Sequence, residues 1–483
     1  MRSVADGVHG LFIGGEWIPG ARVADDVNPS DTTDIVGRYA QGDASHIAAA
    51  VAAARDAAPL WASSTPQQRF DVLDFVGSEI LARKEELGRL LAREEGKTLP
   101  ESVGEVTRAG SIFKFFAGEA LRTAGEHIPS VRPGIEIDMI REPLGVVGLI
   151  TPWNFPAAIP AWKTAPALAF GNAVVLKPAE LVPGTAWAMA EIISRSGLPP
   201  GVFNLVPGKG SVIGEAIVAN PDVSGVSFTG SVQVGTSLAA KCASRLARIQ
   251  LEMGGKNPLV VLDDAEISVA VNAAVNGAFY STGQRCTASS RIVVTGGIHD
   301  RFVRAFIEKI ASLNVDDALG SGTDIGPVVD ESQLEKDLSY IGLGKAEGGN
   351  LAFGGERLRR KKQGFYLAPA LFTETTNGMR INREEVFGPV AGVLRVRDYD
   401  EALAVANDTP FGLCAGICTT SLKHASHFRK NSQAGMVMVN LPTAGVDYHV
   451  PFGGKKGSSY GTREQGRYAV DFYTTVKTCY TAP

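Results

Sequence analysis

Residues 146–156 read VVGLITPWNFP, a short apolar run that leads directly into a loop with two prolines. Similar apolar runs recur downstream, each followed by a loop and a segment of helical composition; they span Ala173 to Leu176, Val202 to Val206 and Val223 to Phe228. Continuous apolar strands that alternate with helices predict a parallel sheet covered by helices on both faces. In such a sheet a nucleotide binds at the carboxyl ends of the strands.

The rest of the chain is organised around this region. The first third is predicted to be helical, because Thr65-Pro66-Gln67-Gln68 has the pattern of a capping box and apolar residues recur at helical spacing after it. A second α/β section opens at Leu259 to Leu262 and runs to about the mid-450s. Residues 135–140 and 472–480 predict strands that could form a separate projecting sheet with an edge to cover.

Length and composition are those of a globular protein with more than one domain. The chain has 483 residues, of which 45% are hydrophobic and 20% are charged. Its 47 basic and 51 acidic residues give a net charge of −4, which offers no electrostatic reason to expect nucleic acid or an acidic membrane. The sequence shows no signal peptide and no apolar run long enough to span a bilayer, so we expect a cytoplasmic protein.

The cysteines are few and do not suggest a structural framework. Five in a chain of this length argue against disulfide bonds. Cys414 and Cys418 have a metal-like spacing, but no second pair or histidine cluster completes a zinc site. We therefore expect no metal, and we expect Cys414 and Cys418 to be structural residues of a buried strand.

One cysteine stands in a setting typical of a nucleophile. Residues 276–286 read NGAFYSTGQRC and end on Cys286, and residues 251–256 read LEMGGK and contain Glu252. Cysteine is the strongest common side-chain nucleophile near neutral pH, and it needs a partner to form thiolate or to activate water. Taken singly, Cys286 could be an inert small hydrophobe and Glu252 a helix end or solvated turn. Together with the loop at 151–156 they indicate a nucleophile and a base that meet in space.

These elements, in this order, resemble the aldehyde dehydrogenase superfamily. Further matches extend across nearly the whole chain; they are LKPAE at 176–180, FTGS at 228–231, EVFGP at 385–389 and PFGGKKG at 451–457. The resemblance implies an α/β protein with a Rossmann-like parallel-sheet cofactor domain (1–124 and 144–253) and a second α/β catalytic domain (254–457). It also implies a small projecting β oligomerisation element (125–143 and 458–483) and self-association as a homodimer or homotetramer.

The same resemblance assigns catalytic roles. Cys286 attacks the aldehyde carbonyl, and the side-chain amide of Asn154 and the backbone N–H of Cys286 stabilise the resulting oxyanion. Hydride leaves to a nicotinamide, and Glu252 activates the water that hydrolyses the thioester. Lys163 and Glu464 match positions used around proton transfer. The alternatives are a turn or N-cap role for Asn154 and a surface ion pair for Lys163 and Glu464.

The cofactor implied is NAD, with NADP as the alternative. The positions that match the family's cofactor site are Thr151, Pro152, Trp153, Lys177, Glu180, Gly210, Phe228, Gly230, Ser231, Gly254, Glu385 and Phe387. Within this set, Lys177 and Glu180 are expected at the adenosine ribose, and Glu385 and Phe387 at the nicotinamide ribose and ring. A carboxylate at Glu180 accepts hydrogen bonds from ribose hydroxyls and repels a 2′-phosphate, which favours NAD.

The substrate is the least determined part of the prediction. Positions that match the family's substrate tunnel are Phe155, Trp162, Arg285, Thr287, His449 and Phe452. Arg285, beside the nucleophile, could grip a substrate carboxylate or point away into an ion pair. Residues 284–291 and 446–454 resemble the 2-oxoglutarate semialdehyde (2,5-dioxopentanoate) dehydrogenase subgroup. Its substrate is therefore the first expectation, with succinic semialdehyde or a broad range of aldehydes as alternatives.

A different enzyme class stays open at this point. A non-redox cysteine acyl hydrolase would use the same thiol and carboxylate, since thioester hydrolysis is the second half of the proposed cycle. It would leave the nucleotide section from Val146 to Gly235 unexplained.

Overall fold

The structure is a computed structural model that describes residues 7–482. Residues 1–6, which the sequence placed in the cofactor domain, and residue 483, which it placed in the oligomerisation element, lie outside the described residues. The strands are β1 Val8–His9, β2 Leu11–Ile13, β3 Glu16–Ile18, β4 Arg22–Val27, β5 Ile35–Gln41, β6 Glu126–Pro129, β7 Glu136–Pro143, β8 Val146–Ile150, β9 Ala173–Lys177, β10 Phe203–Leu205, β11 Val223–Thr229, β12 Arg248–Glu252, β13 Pro258–Val261, β14 Arg291–Thr295, β15 Asn350–Phe353, β16 Ala370–Thr373, β17 Val390–Val396, β18 Cys414–Cys418, β19 Met436–Val439, β20 Ser459–Tyr460 and β21 Thr474–Thr481. The α-helices are α1 Ala44–Ala62, α2 Pro66–Ala82, α3 Lys84–Glu95, α4 Leu99–Ala120, α5 Ala158–Ala169, α6 Gly184–Ser194, α7 Gly210–Ala219, α8 Val232–Ser244, α9 Ile267–Phe279, α10 His299–Ala311, α11 Glu331–Ala346, α12 Arg380–Arg383, α13 Tyr399–Asn407, α14 Leu422–Asn431 and α15 Val470–Tyr473.

The first sheet contains the four apolar runs predicted to be strands. Its order is β20-β12-β11-β8-β9-β10-β2-β3, and β8 to β12 are parallel. Every residue of β8, β9 and β10 is buried, because helices cover both faces. From β8 the chain adds β9 and β10 on one side and then β11 and β12 on the other. The strand order therefore reverses between β8 and β11, which opens a crevice at the carboxyl ends of these two strands.

The second sheet confirms the predicted second α/β section. Its order is β15-β16-β17-β14-β13-β18-β19, with β16 to β19 parallel to β13 and β14 and with β15 antiparallel. Cys286 lies in the loop between α9 and β14. Cys414 and Cys418 are the first and last residues of the buried strand β18, and both are free thiols.

A small third sheet joins the predicted strands near 135–140 and at the end of the chain. β21 pairs antiparallel with β7 from Thr474 opposite Pro143 to Thr481 opposite Glu136, and β6 pairs with the other edge of β7. Most of β21 is exposed, and its outer edge has no partner among residues 7–482. Within the segment predicted to form this element, β20 instead pairs with β12 in the first sheet. The domain assignment itself stays a prediction.

The expectation of a helical first third is correct after residue 43 and wrong before it. The capping box at Thr65 begins α2, with Thr65 and Gln68 each accepting from the other's backbone N–H. Before α1, however, the chain forms five strands, β1 to β5. β1 to β3 have only two or three residues each, and β4 and β5 read RVADDV and IVGRYAQ, so they carry too little apolar alternation to be recognised as strands. Three of them form a small separate sheet in the order β1-β5-β4.

Among residues 7–482, no helix is long and apolar enough to cross a membrane. The same residues contain no group of three or more histidine, cysteine or acidic side chains placed to hold a metal ion.

Candidate active site

The residues predicted to be nucleophile and base line one cavity of about 350 Å³. Glu252 is the last residue of β12 in the first sheet, and Cys286 belongs to the second α/β section. The cavity therefore lies where the two large sheets meet. Its lining residues are Lys97, Glu101, Gly104, Glu105, Arg108, Phe155, Ile159, Trp162, Thr229, Glu252, Met253, Asn276, Ser281, Arg285, Cys286, Thr287, Ala444, Gly445, Val446 and Phe452.

The backbone just before Cys286 has an unusual conformation. Ser281, Thr282 and Gly283 have φ angles of 50°, 57° and 65°, in the left-handed region that residues with a Cβ rarely adopt. Gly283 is also required by space, because an added Cβ would lie 2.3 Å from the carbonyl oxygen of Gly388. Strained backbone of this kind concentrates at functional sites. Here it fixes the turn that presents Cys286 to the cavity.

The environment of Cys286 strongly disfavours ionisation of its thiol. Burial raises its pKa to about 12, and the charges of Glu385 and Glu252 add to the effect. The backbone N–H groups of Cys286 and Thr287 act in the opposite direction, because they donate toward the sulfur. The resting thiol is therefore neutral at physiological pH, and a base must take its proton when it attacks.

Glu252 has the environment of a general base. It is 2% exposed, and its pKa is raised well above the ordinary value by burial and by the nearby charge of Glu464. Ser459 donates to Oε2 at 2.6 Å, whereas the buried Oε1 has no hydrogen-bond partner among the described residues. A carboxyl with a raised pKa and a free oxygen, in the same cavity as a thiol, can accept a proton from that thiol or from water.

Asn154 points its side chain toward the nucleophile's loop. Its Nδ2 donates to the carbonyl oxygen of Gln284 at 3.0 Å, and the amide is buried. One N–H of the same Nδ2 is left for a further acceptor. The alternative N-cap role is wrong, because α5 begins after Ala157 and has no side-chain cap.

Lys163 and Glu464 form an ion pair, but a buried one and not the surface pair considered from the sequence. Their side chains are 0% and 2% exposed, and Lys163 Nζ also donates to Ser227 Oγ at 2.7 Å. Trp162 Nε1 donates to the other oxygen of Glu464 at 2.5 Å. The pair lies close enough to Glu252 for Glu464 to raise, and Lys163 to lower, the pKa of that carboxyl. It is thus electrostatically coupled to the candidate base.

A second cavity, of about 690 Å³, lies at the carboxyl ends of β8, β9 and β11. Most of the predicted cofactor residues line it; they are Thr151, Pro152, Trp153, Lys177, Glu180, Gly210, Phe228 and Gly230. Thr229, the last residue of β11, lines both this cavity and the one that holds Cys286. The two cavities therefore adjoin at Thr229.

The remaining cofactor candidates lie outside this second cavity. Glu385 Oε1 accepts from the backbone N–H of Gly255 at 2.8 Å, and an added Cβ on Gly254 would lie 2.2 Å from Glu385 Oε2. The ring of Phe387 meets that of Trp153 edge-on, with centroids 5.4 Å apart, so it adjoins the cavity wall. Ser231 is the N-cap of α8, where its hydroxyl accepts from Val234.

The second cavity fits a dinucleotide. It lies at the strand-order reversal, where parallel sheets bind nucleotides. Two buried hydroxyls that border it, those of Thr151 and Thr229, have no hydrogen-bond partner among the described residues. Burial lowers the pKa of Lys177 to about 8, and Glu180 partly opposes this. An added Cβ on Gly210 would meet only Lys177, at 3.9 Å, so the wall is open at that point.

Five of the six predicted substrate residues line the first cavity; they are Phe155, Trp162, Arg285, Thr287 and Phe452. His449 is exposed and does not line it. Arg285 forms the ion pair considered as its alternative: Nη2 lies 3.1 Å from Glu101 Oε1 and donates to Ser281 Oγ at 2.8 Å. Its role in substrate binding stays a prediction.

Sequence reasoning missed the charged wall that α4 and Lys97, two residues before it, contribute. Lys97, Glu101, Glu105 and Arg108 all line the cavity. Lys97 Nζ bonds Glu105 at 2.6 Å and the carbonyl oxygen of Asn154 at 2.8 Å. The spacing 101, 105, 108 places the last three on one helix face, but charges in that pattern are typical of a solvated surface. The sequence alone offered no signal to distinguish a helix face that lines a cavity from one that faces solvent.

Comparison with known proteins gives a consistent result. The profile of the Aldehyde dehydrogenase family matches residues 17–479. The chain is 43% identical over 477 residues to the alpha-ketoglutaric semialdehyde dehydrogenase of Bacillus subtilis, covering 98% of each chain. It is 43% identical over 476 residues to the alpha-ketoglutarate semialdehyde dehydrogenase of Haloferax volcanii, covering 97% of this chain and 98% of that one. Its fold is similar to the crystal structure of betaine aldehyde dehydrogenase from Staphylococcus aureus in complex with NAD+, with 34% identity, a TM-score of 0.96 and coverage of 98% of this chain and 95% of that one.

The raised pKa of Cys286 predicts how the free protein reacts with an alkylating reagent. Because thiolate is the reactive form, the rate of iodoacetamide labelling at Cys286 should rise about tenfold per pH unit from about pH 7 to about pH 9. Peptide mass spectrometry measures the rate, and Cys286→Ala gives the background from the other cysteines. A rate that levels off near neutral pH would contradict the predicted neutral thiol.

Proposed function

Since the chain belongs to the aldehyde dehydrogenase family, we propose that it oxidises 2-oxoglutarate semialdehyde to 2-oxoglutarate with NAD. Oxidation of an aldehyde with NAD(P) is the activity of the family. The observation that carries the proposal is the pair of adjoining cavities, one with Cys286 and Glu252 and one suited to a dinucleotide, which share Thr229. The choice of substrate is supported by 43% identity, over 98% of the chain, to a dehydrogenase of that semialdehyde.

The first chemical step is attack of Cys286 on the aldehyde carbon. The neutral thiol passes its proton to a base as the C–S bond forms, and the carbonyl oxygen gains the negative charge. The free N–H of Asn154 and the backbone N–H groups near the sulfur are the donors available to that oxygen. Because Asn154 is already held through Gln284 and Lys97, little reorganisation is needed when the charge develops.

The second half of the cycle hydrolyses a thioester on Cys286. The residues of the second cavity would hold a nicotinamide cofactor, which would supply the acceptor for the hydride lost from the tetrahedral adduct. Glu252 then takes a proton from water, which attacks the acyl carbon and releases the carboxylate and the thiol. The buried pair of Lys163 and Glu464 would influence how readily Glu252 takes up and releases that proton, since its charges act on that carboxyl.

Binding of the cofactor is assigned to the wall of the second cavity. Lys177 and Glu180 would hold the adenosine ribose, and the N-terminal turn of α8 after Ser231 would face the pyrophosphate. Glu385 and Phe387 would hold the nicotinamide end. Glu180 is exposed in the cavity wall, where its carboxylate favours ribose hydroxyls over a 2′-phosphate. NAD is therefore the proposed cofactor.

A non-redox acyl hydrolase finds no specific support. It would use Cys286 and Glu252 but would leave the second cavity, with its unpartnered hydroxyls, without a role.

A panel of aldehydes tests the substrate and the cofactor together. We expect the highest kcat/KM for 2-oxoglutarate semialdehyde with NAD, lower values for succinic semialdehyde and pentanal, and weaker activity with NADP. Absorbance of the reduced nicotinamide measures all of these rates. A higher kcat/KM for pentanal than for either acid would contradict the proposed substrate, and a preference for NADP would contradict the role of Glu180.

The two catalytic side chains should fail in different ways when replaced. Cys286→Ala should abolish turnover and leave NAD binding nearly intact, because the cofactor cavity does not include it. Glu252→Gln should give a rapid burst of NADH followed by slow turnover, since the thioester forms but is hydrolysed slowly. Stopped-flow absorbance separates the two phases. The absence of a burst, with slow formation of NADH, would show that Glu252 acts mainly as the base for the thiol.

Asn154 should increase the rate of the chemical step. Asn154→Ala removes one donor to the oxyanion and should lower the single-turnover rate by roughly a hundred- to a thousandfold. Asn154→Asp, of nearly the same shape, is the matched control, because it keeps the contact volume but places acceptors where a donor is needed. An unchanged rate in Asn154→Ala would return this residue to a purely structural role.

A further inference from the structure

Three cations line the cavity that holds Cys286, and two of them are already neutralised. Lys97 Nζ lies 2.6 Å from Glu105, and Arg285 lies 3.1 Å from Glu101. Each of these pairs joins a cation and a carboxylate that both line the cavity. The third cation is Arg108. Burial lowers the pKa of Arg108, and the charges of Glu105 and the exposed Asp447 partly oppose this, but the guanidinium forms no ion pair with any carboxylate of residues 7–482.

The hydrogen bonding of Arg108 is also incomplete. Its Nη2 donates to Gln465 Oε1 at 3.0 Å, while its Nε is buried and has no partner among the described residues. Gln465 is fully buried, and its Nε2 is a second donor without a partner. Unpartnered buried donors are rare in native structures and cost about 1–3 kcal/mol each. Two such donors, on two hydrogen-bonded side chains of which Arg108 lines the cavity, indicate a missing acceptor.

The position of Arg108 is set by rigid elements. It follows Glu105 by three residues on α4, so its side chain emerges on the cavity face of the helix. An added Cβ on Gly104 would meet no atom within 4 Å, so the helix leaves open space one turn before Arg108. The guanidinium lies over the indole of Trp162, 5.5 Å from its centroid, and that indole is fixed by its bond to Glu464. Little side-chain freedom remains to be lost on binding an anion.

We propose that Arg108, supported by Gln465, binds the carboxylate at the end of the substrate remote from the aldehyde. This assignment rests on the proposed function, because it presumes an aldehyde that carries a carboxylate. A carboxylate accepts from the planar fork of a guanidinium and supplies the charge that Arg108 lacks. Under this proposal Arg108, and not Arg285, is the cation that determines specificity. Arg285 is held by Glu101 and Ser281 and acts as a positioning residue for the loop of Cys286.

The test compares two arginine variants on two substrates. Arg108→Met and Arg285→Met each remove a charge and keep much of the side-chain volume. The measured quantity is the ratio of kcat/KM for 2-oxoglutarate semialdehyde to kcat/KM for pentanal. Loss of one charge-assisted contact should lower this ratio about ten- to a hundredfold in Arg108→Met. In Arg285→Met both substrates should lose activity together, with the ratio little changed.

A binding measurement removes the dependence on catalysis. Glutarate, which cannot react, should inhibit the wild type competitively and more strongly than pentanoate. Arg108→Met should lose that difference, and Arg108→Lys should recover part of it, because a point charge replaces the bidentate fork. Thermal melting of each variant establishes that it is folded. If Arg108→Met does not fold, inhibition of Arg108→Lys is measured in its place.

Each outcome decides between distinct statements. A wild-type preference for the acid that survives in Arg108→Met overturns the assignment of Arg108 and leaves the proposed function standing. A ratio that falls in Arg285→Met instead places the carboxylate at Arg285. If the wild type shows no preference for the acid over pentanal, the proposed substrate is wrong and the assignment of Arg108 is overturned with it.

Discussion

A buried ion pair between Lys97 and Glu105 holds the candidate active site together. Lys97 also binds the carbonyl oxygen of Asn154, and Glu105 accepts from the backbone N–H groups of Ala157 and Ala158, where α5 begins. One pair thus ties α4 to the loop after β8 and to the helix that carries Lys163. Loss of either partner would leave an uncompensated buried charge, which costs about 3–5 kcal/mol in comparable cases. The geometry of Asn154 therefore depends on two residues that do not touch the nucleophile.

The same helix controls the loop of Cys286. Glu101 Oε1 accepts from both the backbone N–H and the hydroxyl of Ser281, the first of the left-handed residues before the nucleophile. Asn257 Nδ2 donates to the carbonyl oxygen of Cys286 from the other side. A conformation that is costly in isolation persists only where its surroundings overdetermine it. Contacts from α4 and from the segment before β13 supply that constraint, so the thiol is placed by both halves of the molecule.

Much of the fold could be predicted from the sequence, because it was encoded locally. The apolar runs at β8, β9, β10 and β11 and the capping box of α2 depend on neighbouring residues alone. What could not be predicted depends on contacts between distant segments. Lys163 and Glu464 are three hundred positions apart in sequence and lie buried together, although each charge alone was equally compatible with the surface. Arg285 could not be separated from its ion pair without the position of Glu101. The segments β1 to β5 are strands because they pair with other strands in two sheets, and their own residues do not indicate this.

The charge balance of the catalytic cavity connects these observations to substrate choice. Burial raises the pKa of the Cys286 thiol to about 12, so this group contributes no negative charge at rest. Lys97 is paired with Glu105 and Arg285 with Glu101. The charge of Arg108 is then the one left without a partner among the ionisable groups that line the cavity. A neutral aldehyde would leave this charge uncompensated as well as desolvated, whereas an aldehyde with a carboxylate would neutralise it. Because the Nε of Arg108 is buried, that compensation would be worth more than the same contact at an exposed surface. The neutral resting thiol and the preference for an anionic substrate would then have a common physical cause, which is burial of Cys286 and Arg108.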